Sequence, residues 1–219
     1  MSIDLQKEFP LDSSICYLNH AAVSPWPKRC ALAIQSFTEE NITFGATNYP
    51  LWEEKEQQLR EQLRKLINAP SIDDIALVKN TSEGLSMIAY GIDWQSGDEI
   101  IISDEEFPSN RIVWESLKEQ GVIVIEVALQ GSHIEQDIAK HFSKNTRMLA
   151  ISSVQYASGI KLDLDMLGGL CQQSNILFCV DAIQSLGAYH FDLAKNHADF
   201  VIADGHKWLM APEEHIYRA

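Results

Sequence analysis

The chain has 219 residues, of which 46% are hydrophobic and 22% charged, a composition typical of a globular protein with a sizeable core. Its 17 basic and 31 acidic residues give a formal net charge of −14, which argues against partners such as nucleic acid or an anionic membrane. No stretch of 18 apolar residues and no basic segment before an apolar run occurs, so neither a membrane span nor a secretion signal is predicted. Because the four cysteines are scattered and form no CxxC pair, we expect a reduced, cytoplasmic protein without disulfides or a zinc site.

The first elements of the chain are helical. Residues 1–50 are predicted to form an N-terminal arm, and residues 51–219 one α/β domain. In the arm, Pro27 suits a first helical position and a helix is expected over 28–43. A second helix is predicted over 51–67, which carries Leu59, Leu63 and Leu66 at helical spacing.

From residue 75 onward, short β-branched apolar runs alternate with amphipathic stretches, which indicates a mostly parallel sheet covered by helices on both faces. The predicted strands lie at 75–78, 99–102, 122–125, 148–151, 176–180 and 200–203, with a possible seventh at 216–217. The predicted helices between them lie at 110–120 (ending at Gly121), at 133–142, at 164–174 and after Gln184. The expected fold class is therefore a three-layer α/β/α architecture.

A lysine and an acid follow two of these strands. Lys207 comes after strand 200–203, and the apolar segment 208–212 behind it indicates an enclosed rather than a solvated amine. Asp181 ends the most apolar strand, where a carboxylate needs a partner; the plainer alternative is a cap of the next helix. A pyridoxal 5′-phosphate (PLP) enzyme needs this pair, because the amine forms a Schiff base with the cofactor aldehyde and the acid pairs with the protonated ring nitrogen.

A candidate anion site comes after the first strand. Thr81 and Ser82 open a predicted helix, where hydroxyls, free N–H groups and the positive end of the helix dipole attract phosphate. The alternative is that one of these two residues is an ordinary N-cap.

In this order, the motifs resemble the class V aminotransferase family of PLP-dependent enzymes, which includes cysteine desulfurases, kynureninases and isopenicillin N epimerase-like proteins. The resemblance covers about residues 15–212. It implies the large domain of PLP fold type I, an amino-acid substrate and a homodimer. It also implies that Lys207 is both the Schiff-base lysine and the group that moves the α-proton.

The resemblance assigns further roles by position. The cofactor would be contacted through Thr81, Ser82, Phe107, Asp181, Gln184, His206 and Lys207. Of these, Phe107 would stack on the ring, Gln184 would donate to its phenolic oxygen, and His206 would contact the phosphate with the two hydroxyls. Asn19 and His20, in a segment similar to the family's opening motif, would lie near the substrate, with core or cap roles as equal alternatives.

Several positions depart from the cysteine desulfurase pattern. Desulfurases usually carry histidine where this chain has Phe107, and a serine where it has Asp204, whose role stays open. They also use an asparagine near the cofactor oxygen, for which Gln155 or Tyr156 could substitute here. None of the four cysteines matches the sulfur-accepting cysteine of that group.

Family members are nearly twice as long, so the small C-terminal domain, with its carboxylate-binding arginine, is expected to be missing. The expected function is that of a PLP-dependent enzyme domain acting on an amino acid by epimerisation, elimination, desulfuration or transamination. The alternative is a truncated, non-catalytic PLP-binding remnant or assembly partner. A nicotinamide-dependent dehydrogenase is disfavoured because no GxGxxG turn comes after a strand.

Overall fold

The computed structural model describes residues 3–212 and the backbone of residues 216–218. Its sheet has the strand order β1-β7-β6-β5-β4-β2-β3, in which β7 is antiparallel to both neighbours and all other pairs are parallel. The strands are β1 Ala76–Val78, β2 Glu99–Ser103, β3 Ile123–Val127, β4 Thr146–Ser152, β5 Leu177–Asp181, β6 Phe200–Asp204 and β7 Ile216–Arg218. The mostly parallel sheet and the seventh strand are thus confirmed.

Eight α-helices lie in the part of the chain that the structure describes. They are α1 Leu5–Glu8, α2 Lys28–Phe44, α3 Tyr49–Ile67, α4 Thr81–Gly91, α5 Pro108–Glu115, α6 Ile134–Ala139, α7 Leu164–Ser174 and α8 Leu193–Asn196. The helix predicted over 110–120 is α5 continued by a 3-10 turn, which ends at Gly121 with a φ of 84°. None of the described helices is long and apolar enough to cross a membrane.

The sheet is the middle of three layers. Its strands are buried on both faces because alternate side chains enter two separate apolar clusters, as in β4, where Leu149 and Ile151 enter one cluster and Met148 and Ala150 the other. Helices α3, α6 and α7 contribute side chains to the first cluster, and α4 and α5 to the second. This arrangement confirms the predicted α/β/α fold class.

Two local predictions are wrong. The helix expected after Gln184 is a series of turns, and the next helix, α8, begins only at Leu193. Gly187 explains the break, since its φ is +97° and a Cβ there would lie 2.6 Å from the Trp208 carbonyl oxygen. Pro27 is the N-cap of α2 rather than its first residue. Within α3, the helix predicted over 51–67, Leu63 and Ile67 lie one turn apart and form the buried stripe, whereas Leu66 is 40% exposed.

The segment before the sheet is anchored at one point. Helix α2 has no buried residue. By contrast, Ser24 is buried, and its backbone N–H donates to the carbonyl oxygen of His206 at 2.9 Å. The amide of Gln184 donates to the carbonyl oxygen of Ala21 at 2.9 Å. The stretch around residues 21–24 therefore lies against the loop that carries Lys207, while the domain boundary at residue 50 stays a prediction.

Candidate active site

A cavity of about 230 Å³ lies where β5 and β6 end and α4 begins. This is the edge of a parallel sheet at which ligands of α/β proteins bind. Its described lining is Asn80, Thr81, Ser82, Phe107, Ser109, Ser152, Val154, Tyr156, Asp181, Ile183, Gln184, Asp204, His206 and Lys207. The structure thus brings together all seven residues that the sequence assigned to a cofactor. Larger clefts of about 440 and 580 Å³ lie elsewhere, but neither holds these groups.

Asp181 is the last residue of β5 and is 1% exposed. Its Oδ1 accepts a hydrogen bond from the backbone N–H of Ile183 at 3.0 Å, whereas Oδ2 is buried with no hydrogen-bond partner among the described residues. Burial raises the pKa of Asp181 to about 7, the Ile183 N–H lowers it in part, and the charge of Glu106 raises it further. Because no helix begins directly after β5, the helix-capping alternative does not apply, and half of this carboxylate lacks a partner.

Lys207 is the only described cation with a buried side chain in the lining, at 9% exposed. It comes after β6 across the turn at Gly205 and His206, and its Nζ lies 5.7 Å from the centre of the Phe107 ring. Burial lowers the pKa of the Lys207 amine, while the nearby charges of Asp181 and Asp204 raise it in part. A lowered pKa enlarges the fraction of neutral, nucleophilic amine at neutral pH.

The N-terminus of α4 forms another wall of the cavity. Asn80 is the N-cap, and its side chain accepts from the N–H of Glu83 at 2.9 Å. The capping alternative for Thr81 and Ser82 is therefore wrong. The Thr81 hydroxyl is buried without a hydrogen-bond partner in the described structure, whereas Ser82 is exposed. A buried free hydroxyl at the positive end of an eleven-residue helix fits an anion.

Asp204 and His206 flank the turn before Lys207. Nδ1 of His206 lies 2.9 Å from Oδ1 of Asp204, the distance of an ion pair when the histidine is protonated, but neither buried atom makes a hydrogen bond among the described residues. Asp204 is 4% exposed and lies in the cavity lining, although no role could be assigned to it from the sequence. The pair presents two further polar groups whose capacity to hydrogen-bond is unused.

Aromatic rings form the more open wall. Phe107 is 46% exposed and contacts Tyr156 edge to face, with ring centres 5.2 Å apart. Of the two residues proposed to replace the family's asparagine, Tyr156 lies in the cavity lining. Gln155 is instead buried beneath it and donates to Ser103 and Glu106. The Phe107 face is thus available to a ring bound in the cavity rather than covered by the core.

Gln184 joins three parts of the site. Its Nε2 donates to the Ala21 carbonyl, and its Oε1 accepts from Nε1 of Trp208 at 3.2 Å. His20 stacks on Trp208 with ring centres 5.5 Å apart, and Asn19 is exposed. The structure therefore places His20 against Trp208, the residue after Lys207. Neither His20 nor Asn19 is among the described lining residues of the cavity.

Sequence reasoning missed one buried acid, Glu106. It is 5% exposed and accepts hydrogen bonds from Asn110 of α5 and from Ser152 of β4. The sequence places it in the acidic run 104–106, where nothing indicates which of the three carboxylates points inward. Ser109, Ser152 and Ile183 in the lining were likewise not singled out.

Comparison with known proteins identifies the family of this chain. The family model "Aminotransferase class-V" matches residues 16–213. A probable cysteine desulfurase from Methanothermobacter thermautotrophicus is 32% identical over 95% of this chain, and one from Pyrococcus abyssi is 29% identical, also over 95%. In each case the match covers 54% of the relative, so the chain spans about half the length of these relatives.

Solved structures show the same fold. A C-DES variant with glycine covalently linked to its PLP cofactor superposes with a TM-score of 0.89 at 22% identity, over 97% of this chain and 58% of that one. A cysteine desulfurase from Escherichia coli gives a TM-score of 0.86 at 23% identity, over 98% and 56%. The family match over nearly the whole chain is the decisive finding: the chain belongs to the class V aminotransferase family.

Proposed function

We propose that this chain binds PLP in the cavity at the ends of β5 and β6 and is the cofactor-binding part of an enzyme that acts on an amino acid. One observation carries the proposal. Asp181 and Lys207, an acid and an amine that are both buried, line one small cavity, and Oδ2 of the acid has no hydrogen-bond partner among the described residues. Such a carboxylate is costly unless a cation or donor meets it.

The unpartnered groups fit the charges of PLP. The ring nitrogen of the cofactor is a cationic donor when protonated, which suits the buried Oδ2 of Asp181. Its phosphate is an anion, which suits the free Thr81 hydroxyl and the N-terminus of α4. His206 would add a donor to the phosphate, and the open face of Phe107 would contact the ring. We propose Ser82 and Gln184 as further, weaker contacts of PLP.

When bound, PLP supplies an electron sink for bonds at the α-carbon of an amino acid. Lys207 is the residue that would bond to its aldehyde carbon, because its amine is enclosed and has a lowered pKa. Once released by the substrate, the same amine can accept or return the α-proton. Asp181, as a carboxylate, would keep a proton on the ring nitrogen. Because Asp181 and Lys207 are both buried, few water molecules can reach them.

The names of the relatives favour a sulfur-containing amino acid as substrate. Several relatives are named cysteine desulfurases, and one structural neighbour is a cystine C–S lyase. Within the described chain, no cysteine lies in the cavity lining, and Cys171 and Cys179 are buried elsewhere. We therefore propose cleavage of the C–S bond by elimination, in which Lys207 would accept the α-proton and the sulfur would leave with the bonding electron pair as a free thiolate, without transfer to a thiol of this chain. Phe107 stands where cysteine desulfurases usually carry histidine, which also favours a reaction other than the sulfur transfer of a typical desulfurase.

The direct test is a titration with PLP monitored by visible absorbance. We expect saturable binding with a new absorbance band in the wild type and no such band in Lys207→Ala. The matched control is Lys79→Ala, since Lys79 is exposed and lies one residue before the N-cap of α4. Loss of the band in both variants, or in neither, would contradict the role given to Lys207.

A further inference from the structure

Glu106 lies beneath the cavity as a buried carboxylate with an unusually full set of donors. It is 5% exposed, and its two oxygens accept five hydrogen bonds. The donors are Ser103 Oγ at 2.8 Å, Asn110 Nδ2 at 2.8 Å, Ser152 N at 2.9 Å, Ser152 Oγ at 2.5 Å and Gln155 Nε2 at 2.9 Å. These donors come from β2, α5, β4 and the loop after β4. Glu106 therefore connects four segments at one point.

The polarity of this network requires an acceptor at Glu106. Nε1 of Trp114, which can only donate, donates to Oδ1 of Asn110 at 2.9 Å. The amide nitrogen of Asn110 must therefore face Oε2 of Glu106. The backbone N–H of Ser152, also an obligate donor, faces Oε1. Each carboxylate oxygen thus meets a group that can only donate, and a carboxylate satisfies both.

The same network brackets Phe107. Glu106 precedes Phe107, and Asn110 comes after it on the first turn of α5, where its backbone N–H donates to the Phe107 carbonyl at 2.9 Å. The Phe107 ring itself is 46% exposed; it contacts the Tyr156 ring edge to face, and the Lys207 amine lies 5.7 Å from its centre. Because packing does not fix this ring, its position depends on the backbone on either side. That backbone is held through the Glu106–Asn110 contact.

We propose that Glu106 is a positioning residue that fixes Phe107 against the group bound in the cavity. The proposal rests on the proposed function, since it assumes that PLP is that group. Glu106 is not among the described lining residues, so it acts through Phe107 rather than by direct contact. A buried hydrogen-bonded anchor of this kind costs little conformational entropy at the moment of binding, because the ring is already in place.

The test is a double-mutant cycle on the dissociation constant of PLP, with wild type, Glu106→Gln, Phe107→Ala and the double variant. We expect Glu106→Gln to weaken binding on the order of tenfold when Phe107 is present and less than about twofold when it is absent. The matched control is Glu105→Gln, which removes the neighbouring half-buried charge outside the network and should leave binding unchanged. An equal loss with and without Phe107 would overturn the proposal.

A second variant keeps the test decisive if Glu106→Gln does not fold. In E106Q/N110D, the introduced amide can donate to the introduced carboxylate, which still accepts from the Trp114 indole. We expect this variant to fold and to bind PLP within about threefold of wild type. A folded variant that binds as weakly as Phe107→Ala would overturn the proposal. If wild type itself binds no PLP, the proposed function fails before the cycle is reached.

Discussion

At the scale of single residues, the site is defined by groups whose burial is not compensated within the described chain. Asp181 is buried at the end of β5 with one oxygen unpartnered, and Thr81 has a buried hydroxyl in the same condition. Each unmade hydrogen bond of a buried group costs about 1–3 kcal/mol. A folded protein that retains two such groups around one cavity is organised for something that binds there.

The raised pKa of Asp181 predicts a specific pH dependence of stability without cofactor. The unfolded chain releases this proton near the ordinary value of 3.8, and the folded chain only near 7, so stability is lost as pH rises between them. From pH 5 to pH 8 this amounts to roughly 3 kcal/mol. Burial is the main cause, with Glu106 and Asp204 adding to it and Ile183 N–H and Lys207 opposing it.

Asp181→Asn removes this ionisation. Relative to wild type, we expect the variant to gain roughly 3 kcal/mol of unfolding free energy between pH 5 and pH 8, measured by urea denaturation of the PLP-free proteins. The control is Asp93→Asn, at a position outside the cavity lining. Its unfolding free energy should differ from that of wild type by the same amount at pH 5 and at pH 8. If the unfolding free energy of Asp181→Asn also differed from that of wild type by the same amount at both pH values, Asp181 would not be held in its protonated form.

At the scale of elements, the site depends on the residues immediately after each strand. The lysine turn after β6, the acid at the end of β5 and the start of α4 could be located from the sequence, because these are short-range patterns at strand ends. Glu106 could not be located from the sequence, since the burial of one acid in a run of three depends on how other elements pack around it. Its donor Ser152 lies on β4, more than forty residues further along the chain, and its donor Asn110 lies on α5. The helix predicted after Gln184 was also wrong, because the approach of the Trp208 carbonyl to Gly187 forces a turn.

Helix α4 allows the phosphate contact to be tested separately from the ring contact. Thr81→Val keeps the shape of the side chain and removes its hydroxyl. We expect it to weaken PLP binding about tenfold or more, as for hydrogen bonds to charged groups, and to leave the affinity for pyridoxal, which has no phosphate, unchanged.

Ser86→Ala is the control for this comparison, because Ser86 lies one turn further along α4 and donates within the helix to the Ser82 carbonyl. It should change neither affinity. If Thr81→Val weakened PLP and pyridoxal binding by the same factor, the hydroxyl would not be a phosphate contact.

At the scale of the whole molecule, the architecture concentrates function at one edge of a sheet. The three layers and the mostly parallel strands could be predicted because runs of apolar residues and amphipathic stretches alternate along the whole chain. The arm was harder to predict, since it is attached through hydrogen bonds of Ser24 and Ala21 and through the His20 ring, all to residues far along the chain. With a net charge of −14, the molecule must hold an anionic cofactor through local donors, which the α4 end provides.

The cavity also predicts how well these 219 residues act on a substrate. No arginine lies among its described lining residues, so a substrate carboxylate has no bidentate partner there. We expect the chain by itself to turn over cysteine, alanine or kynurenine at least about 100-fold more slowly than the ~10 s⁻¹ typical of enzymes. Steady-state assays in excess PLP would measure this, and turnover near the typical rate would show that the described site already orients the substrate.

The central claim is that Lys207 is the residue that bonds to PLP, and chemical trapping tests it most directly. The protein is incubated with PLP, reduced with borohydride so that the bond becomes permanent, digested and mapped by mass spectrometry. The structure predicts one phosphopyridoxyl label, on the peptide that contains Lys207, at a stoichiometry near one per chain. A label on another lysine, or labelling spread over the exposed lysines with Lys207 unmodified, would contradict it.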